Sequence, residues 1–327
     1  MSRSYAVGLD LGGTDIKAAL IGDDARIVVK ASRPTGATRD AQTVLADMAD
    51  AADQVIAKGK VDRTSVIGLG IGAPGPLSPR RGIIFKAANL PTFENVPIRD
   101  ELARRTGMSA VFDNDGNAAT YGEFWAGAGR NVQYMVMLTL GTGVGAGIIL
   151  GGRLLHGHFE NAAELGHWIV EPGGRSCPCG QRGCLEQYAS AESVARRMRE
   201  ELGPIADHPL AGSPEKIAAI TSRDVVEAAR ARDGLAMRIW DDACRYLAIA
   251  CINVQHCFNP EMIVLGGGMS AAGDILIEGV HRHLREQVWS LADDLPQVVL
   301  AELGNDAGVM GAAGLAFQAC NNGWESG

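Results

Sequence analysis

The chain has 327 residues, 46% of them hydrophobic, with 30 Lys plus Arg against 38 Asp plus Glu and a formal charge of −8. These proportions exclude a disordered or collagen-like chain and suit a protein of two lobes, since a single core stops growing beyond roughly 250 residues. The negative balance argues against nucleic acid or an anionic membrane as partner, so an anionic ligand must be held by local features.

Apolar runs at 5–11, 16–21 and 26–31, separated by Gly or Asp, predict three consecutive antiparallel strands. From 40 to 58 the pattern turns helical, with Val44, Leu45, Met48, Ala52, Val55 and Ile56 recurring at spacings of three and four on one sheet-facing side. Strands at 66–72 and 109–113 and helices at 99–106 and 118–126 complete an α/β half. A second block opens at Gln133. Shifted by 129 positions it lays Val136 on Val7, Leu138 on Leu9, Leu140 on Leu11 and Gly141 on Gly12, so both halves begin strand, glycine turn, strand. The uncharged stretch 134–152 has the length of a membrane span, but its glycines, with Thr139 and Thr142, predict two buried strands instead. Helices follow at 193–202, 224–230 and 235–258, then a strand at 262–265 and a helix at 275–284; an Ala- and Gly-rich helix at 309–319 is expected to pack back on one lobe. The expected division is a small lobe at 1–120, completed by 309–327, and a larger lobe at 121–308. An odd cysteine count and an apolar start that meets Asp10 too early for a leader predict a cytoplasmic protein.

Asp10-Leu11-Gly12-Gly13-Thr14 lies between two predicted strands, where paired glycines expose N–H groups to an anion and Thr14 adds a hydroxyl. It reads either as a plain hairpin turn or as a phosphate cradle, with Asp10 facing a hydrated Mg²⁺ and Lys17 adding positive charge. Gly141-Thr142-Gly143-Val144-Gly145 repeats the design in the second half, so two glycine turns could clamp a polyphosphate. Gly266-Gly267-Gly268 follows a strand, where a nucleotide can approach the backbone closely. Gly70-Ile71-Gly72-Ala73-Pro74-Gly75 matches a dinucleotide fingerprint in letters only, because Pro74, Pro76 and Pro79 forbid the helix that should follow, and no P-loop string exists. Phe112-Asp113-Asn114-Asp115-Gly116-Asn117 gathers carboxylates and amides at a strand end, either as a helix cap or as a general base with sugar-binding groups. Cys177, Cys179 and Cys184, with His167 ten residues upstream, form a Cys₃His set suited to structural Zn²⁺ in a loop at 167–186. The other histidines (156, 158, 208, 256, 281 and 283) read as surface or satisfied core residues, and Cys244, Cys251 and Cys257 as small apolar residues of a long helix.

With these residues in view, the chain resembles the ROK family (repressor, open reading frame, kinase) of the actin-like, hexokinase-related superfamily over nearly its whole length. Asp10–Thr14 and Leu140–Gly145 resemble the family's two phosphate motifs, and Glu164-Leu165-Gly166-His167 followed by Cys177-x-Cys179-Gly180-x-x-Gly183-Cys184-Leu185-Glu186 resembles its signature. The resemblance implies a duplicated, ribonuclease H-like, two-lobed α/β fold with a cleft between the lobes. It implies ATP-dependent phosphorylation of a hexose, most often glucose at O6, with Asp115 as base and Gly75, Asn89, Asn114, Glu164, His167 and Glu186 around the sugar. ATP with Mg²⁺, structural Zn²⁺ bridged to the sugar through His167, and a homodimer belong to the same implication. Two features depart from the family pattern: Asn89-Leu90-Pro91-Thr92-Phe93 replaces Asn-Leu-x-Gly-Trp, and Asp15 adds negative charge after the first phosphate motif. N-acetylmannosamine, mannose, allose and fructose are alternative acceptors, and polyphosphate is an alternative donor. A sugar-responsive repressor would carry a helix-turn-helix domain ahead of the strand expected from Tyr5, and a sugar sensor would have no use for Asp115.

Overall fold

The apolar runs of the N-terminus form an antiparallel meander of β1 (Tyr5–Leu11), β2 (Asp15–Gly22) and β3 (Ile27–Pro34). This computed structural model describes residues 3–87, 89–203, 208–287 and 295–324, so the ends of the expected small lobe, 1–2 and 325–327, lie outside the described residues. Helix α1 (Ala41–Gly59) starts where the Asp40 side chain accepts the Thr43 N–H, and all six of its expected sheet-facing residues are buried. It returns the chain to β4 (Val66–Ala73), which runs parallel to β1. Three short strands, β5 (Leu77–Ser78), β6 (Ile83–Ala87) and β7 (Leu90–Val96), form a separate antiparallel sheet that the pattern did not predict. Helix α2 (Ile98–Thr106) then leads to β8 (Ala110–Asn114), parallel to β4, and to α3 (Asp115–Ala126). The first sheet is therefore ordered β3-β2-β1-β4-β8.

The second half repeats this plan. Its strands are β9 (Met135–Leu140), β10 (Val144–Leu150) and β11 (Arg153–Leu154). Helices α4 (Glu186–Ala189), α5 (Ala191–Leu202), α6 (Pro214–Ala218), α7 (Ser222–Arg230) and the long α8 (Gly234–Phe258) precede β12 (Met262–Gly266). After α9 (Asp274–Gln287) and β13 (Gln297–Leu300) comes α10 (Ala307–Asn321). The sheet order β11-β10-β9-β12-β13 matches the first sheet strand for strand, with β12 parallel to both β9 and β13. The weak register of identities between the halves thus reflects duplicated topology.

The chain forms two compact units: Met1–Asn131 with Gly147–Ala162 and Asn305–Gly327, and Val132–Ala146 with Ala163–Gly304. In the first unit, α10 packs on β1, β4 and α3. Glycine makes that approach possible, because a Cβ on Gly8 would run into the Val309 carbonyl and one on Gly70 into that of Ala312. A continuous core of Leu9, Leu11, Leu45, Met48, Leu69, Ile71 and their neighbours lies between α1 and the first sheet. In the second unit, α8 buries Ile239, Trp240, Leu247, Cys251 and Val254 among its own neighbours. Stretch 134–152 is strand, turn and strand, and among the described residues no helix is long and apolar enough to cross a membrane.

Candidate active site

In the first unit, β1 and β2 are joined by the Gly12-Gly13 turn, closed by the Gly12 N–H donating to the Asp15 carbonyl (2.9 Å). Thr35 holds it from behind: its hydroxyl donates to the Gly12 carbonyl (2.7 Å) and its N–H to that of Thr14 (2.8 Å). Asp10, next to last in β1, has its carboxylate 3.6 Å from Lys17 Nζ, and Lys17 also donates to the Asn305 carbonyl. Burial raises the proton affinity of Asp10; Lys17 opposes this, while the charge of Asp115 adds to it. Gly308, at the start of α10, leaves room for that carboxylate, since a Cβ there would lie 2.8 Å from Asp10 Oδ2.

Asp115 is the first residue of α3, at the carboxyl end of β8. The cap is Asn114, not an aspartate: Asn114 Oδ1 accepts the Gly116 N–H (2.8 Å), and Asp115 Oδ1 accepts it as well. This capping starts the helix at Asp115 rather than at 118, despite the poor helix propensity of Gly116 and Asn117. The Asp115 side chain is open to solvent, yet desolvation holds its proton affinity above the usual carboxylate value against the Gly116 N–H and Asn114. Asn89 lies beside the Gly12-Gly13 turn, where a Cβ on Gly13 would sit 2.9 Å from Asn89 Nδ2, and Gly75 packs near the Asn114 amide. The first unit therefore gathers Asp10, Gly12, Gly13, Thr14, Lys17, Gly75, Asn89, Asn114 and Asp115.

In the second unit, the Gly141-Thr142-Gly143 turn is closed by the Gly141 N–H donating to the Gly143 carbonyl (2.9 Å). Glu186, at the start of α4, accepts the Val144 N–H through Oε2 (3.1 Å), and the Ala191 N–H donates to the Gly141 carbonyl. Gly267 has φ +80° and abuts the Leu140 backbone, bringing the third glycine run, Gly266 to Gly268, against the second turn. Glu164 precedes a 3₁₀ turn, Leu165–His167, and its carbonyl accepts the His167 N–H. His167, Cys177, Cys179 and Cys184 converge, with their ligand atoms all within 4.8 Å of one another. His167 Nδ1 lies 3.7 Å from Cys177 Sγ, and Cys179 Sγ lies 3.7 Å from Cys184 Sγ. Hydrogen bonding to the Gln181 backbone lowers the Cys179 thiol, whereas burial and the neighbouring thiols push Cys184 up to about 12. Three such thiols cannot all ionise together without a cation, so the donor set fits Zn²⁺ in kind and number.

One further contact at the carboxyl end of β8 carried no signal in the sequence. Asp113 is buried, and His156 Nε2 reaches its Oδ2 at 2.7 Å across 43 positions of chain. His156 is thus partnered by β8, through the residue two positions before Asp115, and no local spacing announces such a pair.

The ROK family model matches residues 6–319. The glucokinase of Halalkalibacterium halodurans is 38% identical over 323 residues, 98% of each chain, and that of Thermotoga maritima 39% identical over 318 residues, 96% of this chain and 98% of the relative. The solved ROK family glucokinase from Streptomyces griseus, in complex with glucose and AMPPNP, superimposes with a TM-score of 0.81 at 32% identity, covering 96% of this chain and all of that one. Duplicated sheets, paired glycine turns and the Cys/His cluster thus accompany a family match that runs almost from end to end, and the chain belongs to the ROK family.

Proposed function

We propose that the chain is an ATP-dependent sugar kinase that phosphorylates glucose, giving glucose 6-phosphate and ADP. The observation that carries this reading is an acid at the carboxyl end of β8, Asp115, in a chain similar throughout to glucokinases. Asp115 accepts the proton of the attacking hydroxyl as that oxygen bonds to the γ-phosphorus, and the bond to the ADP oxygen breaks. Asn89, Asn114, Gly75, Glu164, His167 and Glu186 hold the remaining hydroxyls. N–H groups of the Gly12-Gly13-Thr14 and Gly141-Thr142-Gly143 turns receive phosphate oxygens, and Gly266 to Gly268 let the nucleotide approach closely.

Asp10 is a partly buried carboxylate with one lysine 3.6 Å away, a charge that fits a hydrated Mg²⁺. Mg²⁺ bound with ATP would neutralise phosphate charge in the transition state. The Cys/His cluster fits structural Zn²⁺, which would fix the ring of His167 through Nδ1 and leave Nε2 for a sugar hydroxyl. A homodimer completes the reading, on the resemblance alone, and light scattering on the eluting protein reads it.

The test is ADP release with MgATP across glucose, mannose, N-acetylmannosamine, allose and fructose, with Asp115→Asn in parallel. Glucose is expected to turn over fastest, and Asp115→Asn to lose about 10²–10⁴-fold in kcat while still binding sugar. Turnover of Asp115→Asn within a few-fold of wild type removes Asp115 as the base. A stronger acceptor among the other four renames the substrate.

A further inference from the structure

Asp113 ends its side chain in a tight set of donors. Oδ1 receives the Asn114 N–H (2.7 Å) and Asn117 Nδ2 (2.8 Å), both from the turn that contains Asp115. Oδ2 receives His156 Nε2 (2.7 Å). The Asp113 residue is only 3% exposed, so its oxygens take their hydrogen bonds from these partners. His156 lies just beyond β11, on a segment pinned a second time within the first unit: Glu160 accepts from the Ser78 hydroxyl and pairs with Arg80 (3.2 Å). The Ala162 N–H also donates to the His156 carbonyl, closing the segment on itself.

Local capping accounts for Oδ1 but not for Oδ2. Asn114 already caps α3, and Asp113 needs no distant histidine to start a helix. An ion pair whose histidine is partly exposed is also a poor way to gain stability, because solvent screens the attraction while the buried carboxylate still loses its hydration. What the pair does achieve is to fix a carboxylate whose other oxygen holds the backbone and Asn117 on either side of Asp115.

We propose that His156 is a positioning residue for phosphoryl transfer: it anchors the Asp113 carboxylate and thereby the turn that aims Asp115. The inference rests on the reading of Asp115 as the base. The charged groups that bear on the pair are Asp113 on β8, Glu160 on the His156 segment with Arg80 beside it, and, on the Asp115 side, Asp10 with Lys17. The hydrogen bond to Asp113, with the charges of Asp113 and Glu160, holds the His156 proton affinity above its usual value against burial. The raised proton affinity favours the imidazolium, whose charge offsets that of Asp113. Without it, an uncompensated anion two residues away disfavours ionisation of Asp115.

Steady-state kinetics of His156→Ala and His156→Gln with MgATP and the accepted hexose, across pH, test this, with Asp115→Asn assayed beside them. His156→Ala is expected to lose about 10–100-fold in kcat while the hexose KM stays within about three-fold, since a misaimed base costs rate and not binding. His156→Gln, which keeps a donor but no charge, recovers most of the plateau rate, and in both variants the acid limb of kcat moves to higher pH. A His156→Ala plateau within about two-fold of wild type overturns the proposal. So does an acid limb that stays at the wild-type pH in both variants, whatever happens to the melting temperature. If His156→Ala does not fold, the limb of His156→Gln decides alone. An active Asp115→Asn removes the underlying reading instead, and so separates the two failures.

Discussion

Asp115, the proposed base, sits directly after the Asn114 cap of its helix. It opens α3, shares the Gly116 N–H with Asn114, and keeps a carboxylate open to solvent. Desolvation raises its pKa from the ordinary 3.8, and only the ionised form can accept a proton. The sign follows directly: activity is lost as pH falls through the raised value, so the acid limb of kcat/KM for the hexose lies above 3.8. A pH profile checks this, and a limb at or below 3.8 would contradict the assignment. Asp115, Asp10 and the cysteine set were legible in the sequence because each belongs to a contiguous phrase whose spacing has chemical meaning. The Asp113–His156 pair was not, since its members stand 43 positions apart and either residue alone is ordinary.

The elements show the same division. Helix α1 was readable from its long periodic apolar face, and the strands β1, β2, β4, β9 and β12 from short apolar runs that are buried almost throughout. Strands β5 to β7 were not: β5 has two residues, and β7 buries every third residue, Leu90, Phe93 and Val96, around Pro91 and Glu94, a period that belongs to neither a strand nor a helix. Strand β11 is likewise too short to carry a pattern. The cysteine loop has almost no regular structure of its own; two isolated bridges, Ile169 with Cys184 and Ser176 with Arg182, are its only β pairing among the described residues. Turn hydrogen bonds, among them those of the Val170 and Glu171 N–H groups to the Gly183 carbonyl, shape it, and a metal is the further cross-link its donors fit. Cys179→Ser is therefore expected to lower both zinc content, from about one ion per chain, and hexose affinity, the latter by about 10-fold or more. Elemental analysis and a binding titration read the two effects; unchanged affinity in a zinc-free protein would uncouple the loop from the sugar.

For the molecule as a whole, the order of the chain and the order of packing differ. The second unit takes most of its residues from one continuous run, Ala163–Gly304, whereas the first needs Asn305–Gly327 to cover β1 and β4. Helix α10 buries Val309, Met310, Ala312, Ala313, Leu315 and Ala316 against that sheet and α3. A chain ended at Leu303 is expected to leave this apolar face uncovered and the first unit unfolded, while the second retains structure. Limited proteolysis with circular dichroism distinguishes the outcomes: protease-resistant β1 to α3 in the shortened chain would refute the dependence.

The glycine-lined crossing of α10 over β1 and β4 also sets a schedule for biosynthesis. A ribosome makes the chain from the N-terminus, and domains fold as they emerge. The residues that close the first sheet are translated only after the whole of the second unit, so the nascent chain carries Gly8 and Gly70 bare through all of that synthesis. The proposed base, Asp115, is therefore made early but seated late. A transcript cut short before α10 releases a polypeptide with an open sheet face, a ready target for chaperones and proteases, so kinase activity is confined to chains translated through that helix.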